Sequence, residues 1–476
     1  MDDGRNERRD LGPLPNSQTP DTPGREADVI VVGAGLAGLA AARAVLRAGL
    51  EPIVVEARGR IGGRVVNEPI ADGKIVEMGG QWVAPRSSGL RRFAAEVGIE
   101  FFPTYETGSK LMESSGKVRQ WKGKLPPLRI PALLDVGLAR LRLDRLAHSV
   151  PAHAPWTAPR AQELDAQTLG SWFDQTVRSR EGRALLDAAA TTIWGAAPDR
   201  INLLQALAYT SGAGNFEALT TRELQDRIVG GSARLADVLG AELGQRIVLR
   251  HPVERIENRS GRVEVIASGV AFTAQRAIVA VPPQLAARIE FDPWLPERRA
   301  LALRCLPMAR VTKVAAVYDR PFWRERGLCG QAITLSGPVT AVFDNSPPDG
   351  DPGVLIGFVP GERAKTLAAR PEAERRLAVL ETFSRLFGTE AAEPRAFFEK
   401  DWAADPWTRG CYFGLATASS LTGVLRTLAE PVGGVHWAGA ETATENYGGM
   451  DGALASGERA AAEVLAELPQ TAVRPG

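Results

Sequence analysis

The spacing of apolar and polar positions changes several times along the chain, and each change marks an element. Residues 27–58 read ADVIVVGAGLAGLAAARAVLRAGLEPIVVEAR. The unbroken apolar run Val29–Val32 has the length of a buried strand, Leu36–Ala48 carries Leu and Ala at helical spacing, and Pro52–Val55 is a second buried strand ending at Glu56. Residues 225–257, QDRIVGGSARLADVLGAELGQRIVLRHPVERIE, pair a Gly-Gly turn and a helix with strands. Residues 261–283, GRVEVIASGVAFTAQRAIVAVPP, alternate apolar and polar side chains, the period of paired strands. Segment 105–225 reads as helix-rich, and 301–403 mixes strands (VTKVAAVYD, VLIGFVP) with a long helix over 371–387. Near the end, a strand over Val435–Ala438 feeds a turn, and a helix begins near Gly449-Met450.

This order predicts an α/β fold in which a Rossmann-like domain is assembled from discontinuous segments, 27–104, 226–300 and 404–466. An α+β substrate domain, 105–225 plus 301–403, is inserted into it. Residues 1–26 are polar and rich in Pro and Arg, with no apolar stretch of a signal peptide, and predict a disordered tail; 467–476 is a second short tail.

Composition narrows the function. With 57 basic and 56 acidic side chains among 476 residues, the net charge of +1 argues against nucleic acid or an anionic membrane as main partner. No apolar run reaches the roughly 18–20 residues of a membrane span. The three cysteines lie far apart and are odd in number, so they predict neither a disulfide framework nor a metal site, and a reduced, cytoplasmic protein is expected. The four histidines have no metal spacing, and no metal is expected.

The chemistry starts at Gly33-x-Gly35-x-x-Gly38, between a strand and a helix, with Glu56 at the end of the next strand. Glycines there let a pyrophosphate approach backbone at a helix N-terminus, and an acid at that distance accepts from a ribose hydroxyl. NAD and FAD both satisfy this much. A compact cluster follows, Arg58-x-Arg60-x-Gly62-Gly63-Arg64, then Glu77-x-Gly79-Gly80-Gln81-Trp82. Paired glycines with arginines suit a second approach to phosphates, with guanidinium forks on the oxygens. From here the chain resembles the flavin-containing monoamine oxidase family, whose RxGGR and GGxWV-type elements a NAD dehydrogenase would lack. The resemblance spans about 27–466 and is most specific in VHWAGAETATENYGGMDGALASGERAAAEVL, residues 435–465.

That resemblance implies FAD as cofactor, with Val253 on its adenine side and Glu441 and Met450 in the flavin-site signature. A helix N-terminus at Gly449-Met450 aimed at the flavin would favour negative charge on it. Cys411-Tyr412, set before Glu441 at the family's spacing, matches the cysteine that carries the flavin through a thioether in some members; others hold FAD noncovalently, and both remain open. Acid precipitation separates them, since yellow colour left in the supernatant means no covalent bond. Lys313 shares one strand face with Val311, Ala315 and Val317. An edge strand with a snorkelling lysine would explain it, whereas the resemblance places it under the flavin, holding a water.

One feature departs from the family. Two aromatic faces flank the amine there, one of them the tyrosine after the cysteine, which Tyr412 supplies; where the other is expected this chain has Gly449, with Tyr447 two positions earlier. Either half the cage is missing, leaving room for a bulkier amine, or Tyr447 reaches in. Phe216 and Glu217 match a segment lining the cavity entrance, and a carboxylate there suits a diamine's second amino group. The implied reaction takes an amine, O2 and water to aldehyde or ketone, ammonia and peroxide, with a hydride equivalent passing from the amine α-carbon to flavin N5. The catalytic set is Lys313, Tyr412 and Tyr447. An L-amino-acid oxidase would need a cationic carboxylate anchor, which the sequence does not place; a non-catalytic flavin-binding regulator is the other alternative. A homodimer is implied by resemblance alone.

Overall fold

A computed structural model of the chain describes residues 25–123, 126–259 and 261–468. Most of the two predicted tails, 1–24 and 469–476, lies outside the described residues. Two residues assigned to the first tail are ordered: Arg25–Glu26 forms a short strand pairing in parallel with Val270–Ala274. Glu467, assigned to the second, closes the last helix.

A parallel sheet of five strands organises the molecule, in the order Ile247–Val248, Pro52–Val55, Val29–Val32, Arg276–Val279, Val435–Trp437. Its three longest strands are apolar throughout or nearly so because both faces are covered. Helix Leu36–Arg47 starts one residue after Gly35 and packs along the terminal helix Met450–Glu467. Gly38 makes the turn before it possible: a Cβ there would lie 1.9 Å from the Gly33 carbonyl oxygen. A second five-stranded sheet contains Val253–Arg259, Arg262–Ala267 and Val270–Ala274 as an antiparallel meander, as the alternation predicts.

The third large sheet has seven strands, in the order Ala396–Asp401, Val311–Tyr318, Gly353–Pro360, Ala341–Asp344, Leu328–Thr334, Ser109–Ser114, Lys117–Trp121. The last two come from the segment expected to be helical, and Ser109–Ser114 joins the sheet by pairing in parallel with Leu328–Thr334, far along the chain. Helices Ile130–His148, Arg180–Trp194 and Leu203–Ala213 pack beside this sheet around Phe173, Trp194 and Leu207. Strand Val311–Tyr318 is not at an edge. Antiparallel neighbours flank it on both sides and all eight of its residues are buried, so Lys313 has no route to solvent along a sheet margin.

Candidate active site

A cavity of about 670 Å³ runs from the parallel sheet to the seven-stranded sheet. Its first end is made of backbone. The Gly33–Gly35 and Gly62–Gly63 turns meet face to face, with the Gly62 N–H donating to the Ala34 carbonyl at 2.8 Å. Beside them the Glu56 carboxylate, buried at the end of its strand, accepts from the N–H of Ala34 at 2.7 Å and of Arg58 at 2.8 Å. Val253 and Trp407 add to the wall there, and Gly449-Met450 opens a second helix N-terminus onto the same space. Gly38 stays behind the turn.

The three arginines of the cluster act on protein groups. Arg58 pairs with Asp405 at 2.7 Å and donates to Thr408. Arg60 reaches the carbonyls of Ile61 and Gly63. Arg64 grips Glu441 with both nitrogens, at 2.6 and 2.9 Å, and donates to the Tyr412 carbonyl at 2.8 Å. Burial opposes the Arg64 charge, but the Glu441 carboxylate outweighs it and holds the guanidinium above the ordinary arginine range. Where forks on phosphate oxygens are expected, these side chains take protein partners and brace the cavity wall. Arg58 and Arg64 still border it, whereas Glu441 lies behind, facing a smaller cavity of about 130 Å³.

The far end is aromatic. Trp82, Phe343 and Phe358 pack edge-on or tilted with centroids 5.0–6.0 Å apart, and Tyr412 stands against Phe358 at 6.0 Å. Lys313, 2% exposed, sits among them. Its Nζ donates to the Gly79 carbonyl at 3.0 Å and to Gln81 Oε1, and lies 5.7 Å from the Phe358 ring centroid. Burial lowers the Lys313 pKa to about 7. Glu77 pulls it back up, and Arg227, bound to Glu77 at 2.8 Å, opposes that pull. Cys411 is on the wall, and burial raises its thiol to about 12 against the pull of Arg64 and Lys313. Burial likewise keeps the Tyr412 and Tyr447 hydroxyls well above the ordinary tyrosine range.

Besides Gly38 and Glu441, three predicted residues lie off the large cavity. Tyr447 turns away: its ring packs on Phe413, its hydroxyl donates to the Gly414 carbonyl at 2.8 Å, and it faces the smaller cavity. Of the two readings of the glycine departure, the structure leaves the one with an open face at Gly449. Phe216 is buried against Trp194, and the Glu217 carboxylate takes a 2.6 Å bond from Arg140; neither borders the large cavity. Sequence reasoning misses Phe358, which lies directly opposite Lys313 on the neighbouring strand, and Asn345, whose Oδ1 accepts from Gln81 Nε2 at 2.8 Å, because what carries them is strand register.

These residues fit FAD. The glycine cradle has no side chain where two backbone loops and a helix N-terminus converge, which suits a pyrophosphate. Glu56 presents a fixed acceptor. At the aromatic end, the Trp82 indole N–H is buried without a partner, so a polar group in the cavity would satisfy it.

Comparison with known proteins agrees. The pattern of the family described as flavin containing amine oxidoreductase matches residues 36–465. A putative flavin-containing monoamine oxidase of Mycobacterium tuberculosis is 38% identical over 93% of this chain and 97% of its own length. Putrescine oxidase of Kocuria rosea is 36% identical over 92% and 95%. The solved structure of cyclohexylamine oxidase from Brevibacterium oxydans superposes with a TM-score of 0.89 at 31% identity, covering 93% of this chain and 99% of that one. The chain therefore belongs to the flavin-containing amine oxidoreductase family and is an FAD-dependent enzyme of oxidative amine deamination.

Proposed function

We propose that the substrate is a monoamine with an apolar body, bound unprotonated at the Lys313 end of the cavity, and that O2 is the final electron acceptor. The observation that carries this reading is the cavity wall. Trp82, Phe358 and Tyr412 form its far end, and among the described residues the only acids bordering the cavity are Glu56 and Glu254, both at the other end. An ammonium among those rings would be desolvated without a counter-charge, so the neutral amine is preferred. A diamine would bring a second cation with no carboxylate to meet it. An amino acid would need a free guanidinium near Lys313, and Arg64 is already committed to Glu441.

In this reading Gly33, Gly35 and Gly63 lay bare backbone for the pyrophosphate, with Gly38 permitting the turn. Glu56 takes a ribose hydroxyl, Val253 flanks the adenine side, and Arg58 and Arg64 hold the two walls apart. The helix beginning at Met450 offers its N-terminus to negative charge. Bound FAD supplies the electron sink for the hydride equivalent leaving the amine α-carbon, and reoxidation by O2 yields peroxide. The residues of the chain position and desolvate the substrate. Tyr412 and Phe358 clamp the amine, the space beside Gly449 admits a bulky substituent, and Lys313 holds the water that hydrolyses the imine to carbonyl product and ammonia.

The test is flavin absorbance after mixing the holoenzyme, without oxygen, with monoamines, diamines and L-amino acids. Bleaching by alicyclic or aromatic monoamines, reversed by air, is expected. Faster bleaching by diamines or amino acids would overturn the reading.

A further inference from the structure

Lys313 is the first member of a buried chain of side-chain hydrogen bonds. Its Nζ donates to Gln81 Oε1, and Gln81 Nε2 donates to Asn345 Oδ1 at 2.8 Å. Gln81, Lys313 and Asn345 are each 2% exposed. The chain ends badly: Asn345 Nδ2 is buried with no acceptor. A buried N–H left without an acceptor costs free energy, and one that ends a chain leading to Lys313 asks for a reason.

An amide can make a half-turn within the same footprint, exchanging its oxygen and nitrogen. If both amides turn, Asn345 Nδ2 donates to Gln81 Oε1, Gln81 Nε2 points at Lys313, and the Asn345 nitrogen is no longer without a partner. This second arrangement requires a lone pair on Lys313, which the neutral amine has and the ammonium lacks. Counting donors closes the comparison. The ammonium gives one N–H to Gly79, one to Gln81 and one to the cavity. The amine gives one to Gly79 and one to the cavity, while its lone pair accepts from Gln81.

We propose that Gln81 and Asn345 are positioning residues that act as a reversible amide relay, turning with the protonation state of Lys313 so that it keeps one N–H directed into the cavity in both states. The surroundings permit the change. Glu77 and Arg227 face Lys313 as a closed ion pair, with Glu77 also accepting from the Ser232 N–H at 2.9 Å. Cys411 adds no charge, since burial raises its thiol to about 12. Lys400, opposite Lys313 on the neighbouring strand, is turned to Asp405 at 3.3 Å. Among the described residues no unpaired charge therefore fixes Lys313 in one form, and its pKa of about 7 puts both within reach. The Asn345 nitrogen lacks any acceptor only beside the ammonium, so the relay favours the neutral amine.

The proposal rests on the placement of Lys313 at the reacting end, but its test needs no turnover and so fails separately from the substrate reading. Neutron diffraction on crystals of the FAD-bound protein at pH 6 and pH 9 distinguishes N from O and counts deuterons. The expected result is three deuterons on Lys313 with Gln81 Oε1 facing it at pH 6, and two deuterons with Gln81 Nε2 facing it at pH 9. The same amide orientation at both pH values, or an unchanged deuteron count on Lys313, would overturn it.

Discussion

The glycine cradle and the Lys313 pocket are two ends of one cavity, assembled in opposite ways. The cradle draws on contiguous sequence, Val29 to Arg64, and its working surface is backbone brought close by absent side chains. The Lys313 pocket gathers Gln81 and Trp82, Lys313, Phe358 and Cys411-Tyr412, and its working surface is side chain. The first is sensitive to volume and the second to polarity. A fold can thus hold a common cofactor at one end while changing the substrate at the other.

The largest expected effect tests the cradle. In Gly38→Val the new side chain has no space beside the Gly33 carbonyl, so the helix N-terminus must shift; overpacking of this kind costs about 3 kcal/mol. Flavin absorbance per protein should fall to near zero, and a variant purified yellow at wild-type melting temperature would break the comparison. Next comes the brace between the ends. Glu441→Gln leaves Arg64 in a wall with only neutral partners, and losing one member of a buried pair costs about 3 kcal/mol, read as a lowered denaturation midpoint.

Stability against pH sharpens the contrast. The Lys313 pKa in the folded protein, about 7, lies below its unfolded value near 10.4. Between these pH values the unfolded chain binds more protons, so stability rises with pH at up to about 1.4 kcal/mol per unit; below about 7 the slope is absent. Unfolding free energies measured from pH 6 to 10 should therefore rise more steeply in wild type than in Lys313→Met, which lacks this contribution. The smallest effect is expected at Glu217. Because its charge is spent on Arg140, Glu217→Gln should change KM for monoamines less than about twofold, roughly the worth of a surface charge, as steady-state kinetics would show.

How much can be read in advance follows the same division. Val29–Val32 and Pro52–Val55 match the sequence reading residue for residue, and the first helix ends one residue earlier than its pattern, at Arg47. There the strand, turn and helix signals are local and agree with one another. The arginine cluster is visible in the sequence but its partners are not, since Asp405 and Glu441 lie near the other end of the chain. Strands Ser109–Ser114 and Lys117–Trp121 are not legible because the strand that joins them to the sheet arrives only at Leu328. Tyr447 shows the limit of motif spacing: two positions from Gly449, it faces a different cavity. Lys313 stands out as a charge on an apolar strand face, yet its companions Phe358 and Asn345 depend on register that no short motif encodes.

The claim that binding and chemistry occupy separable ends is tested most directly by Lys313→Met. Flavin content, melting temperature and turnover with the best monoamine would be measured on one preparation. The account predicts full flavin content, a melting temperature within a few degrees of wild type, and turnover reduced by about 100-fold or more. Loss of the flavin, or turnover close to wild type with the flavin in place, would contradict it.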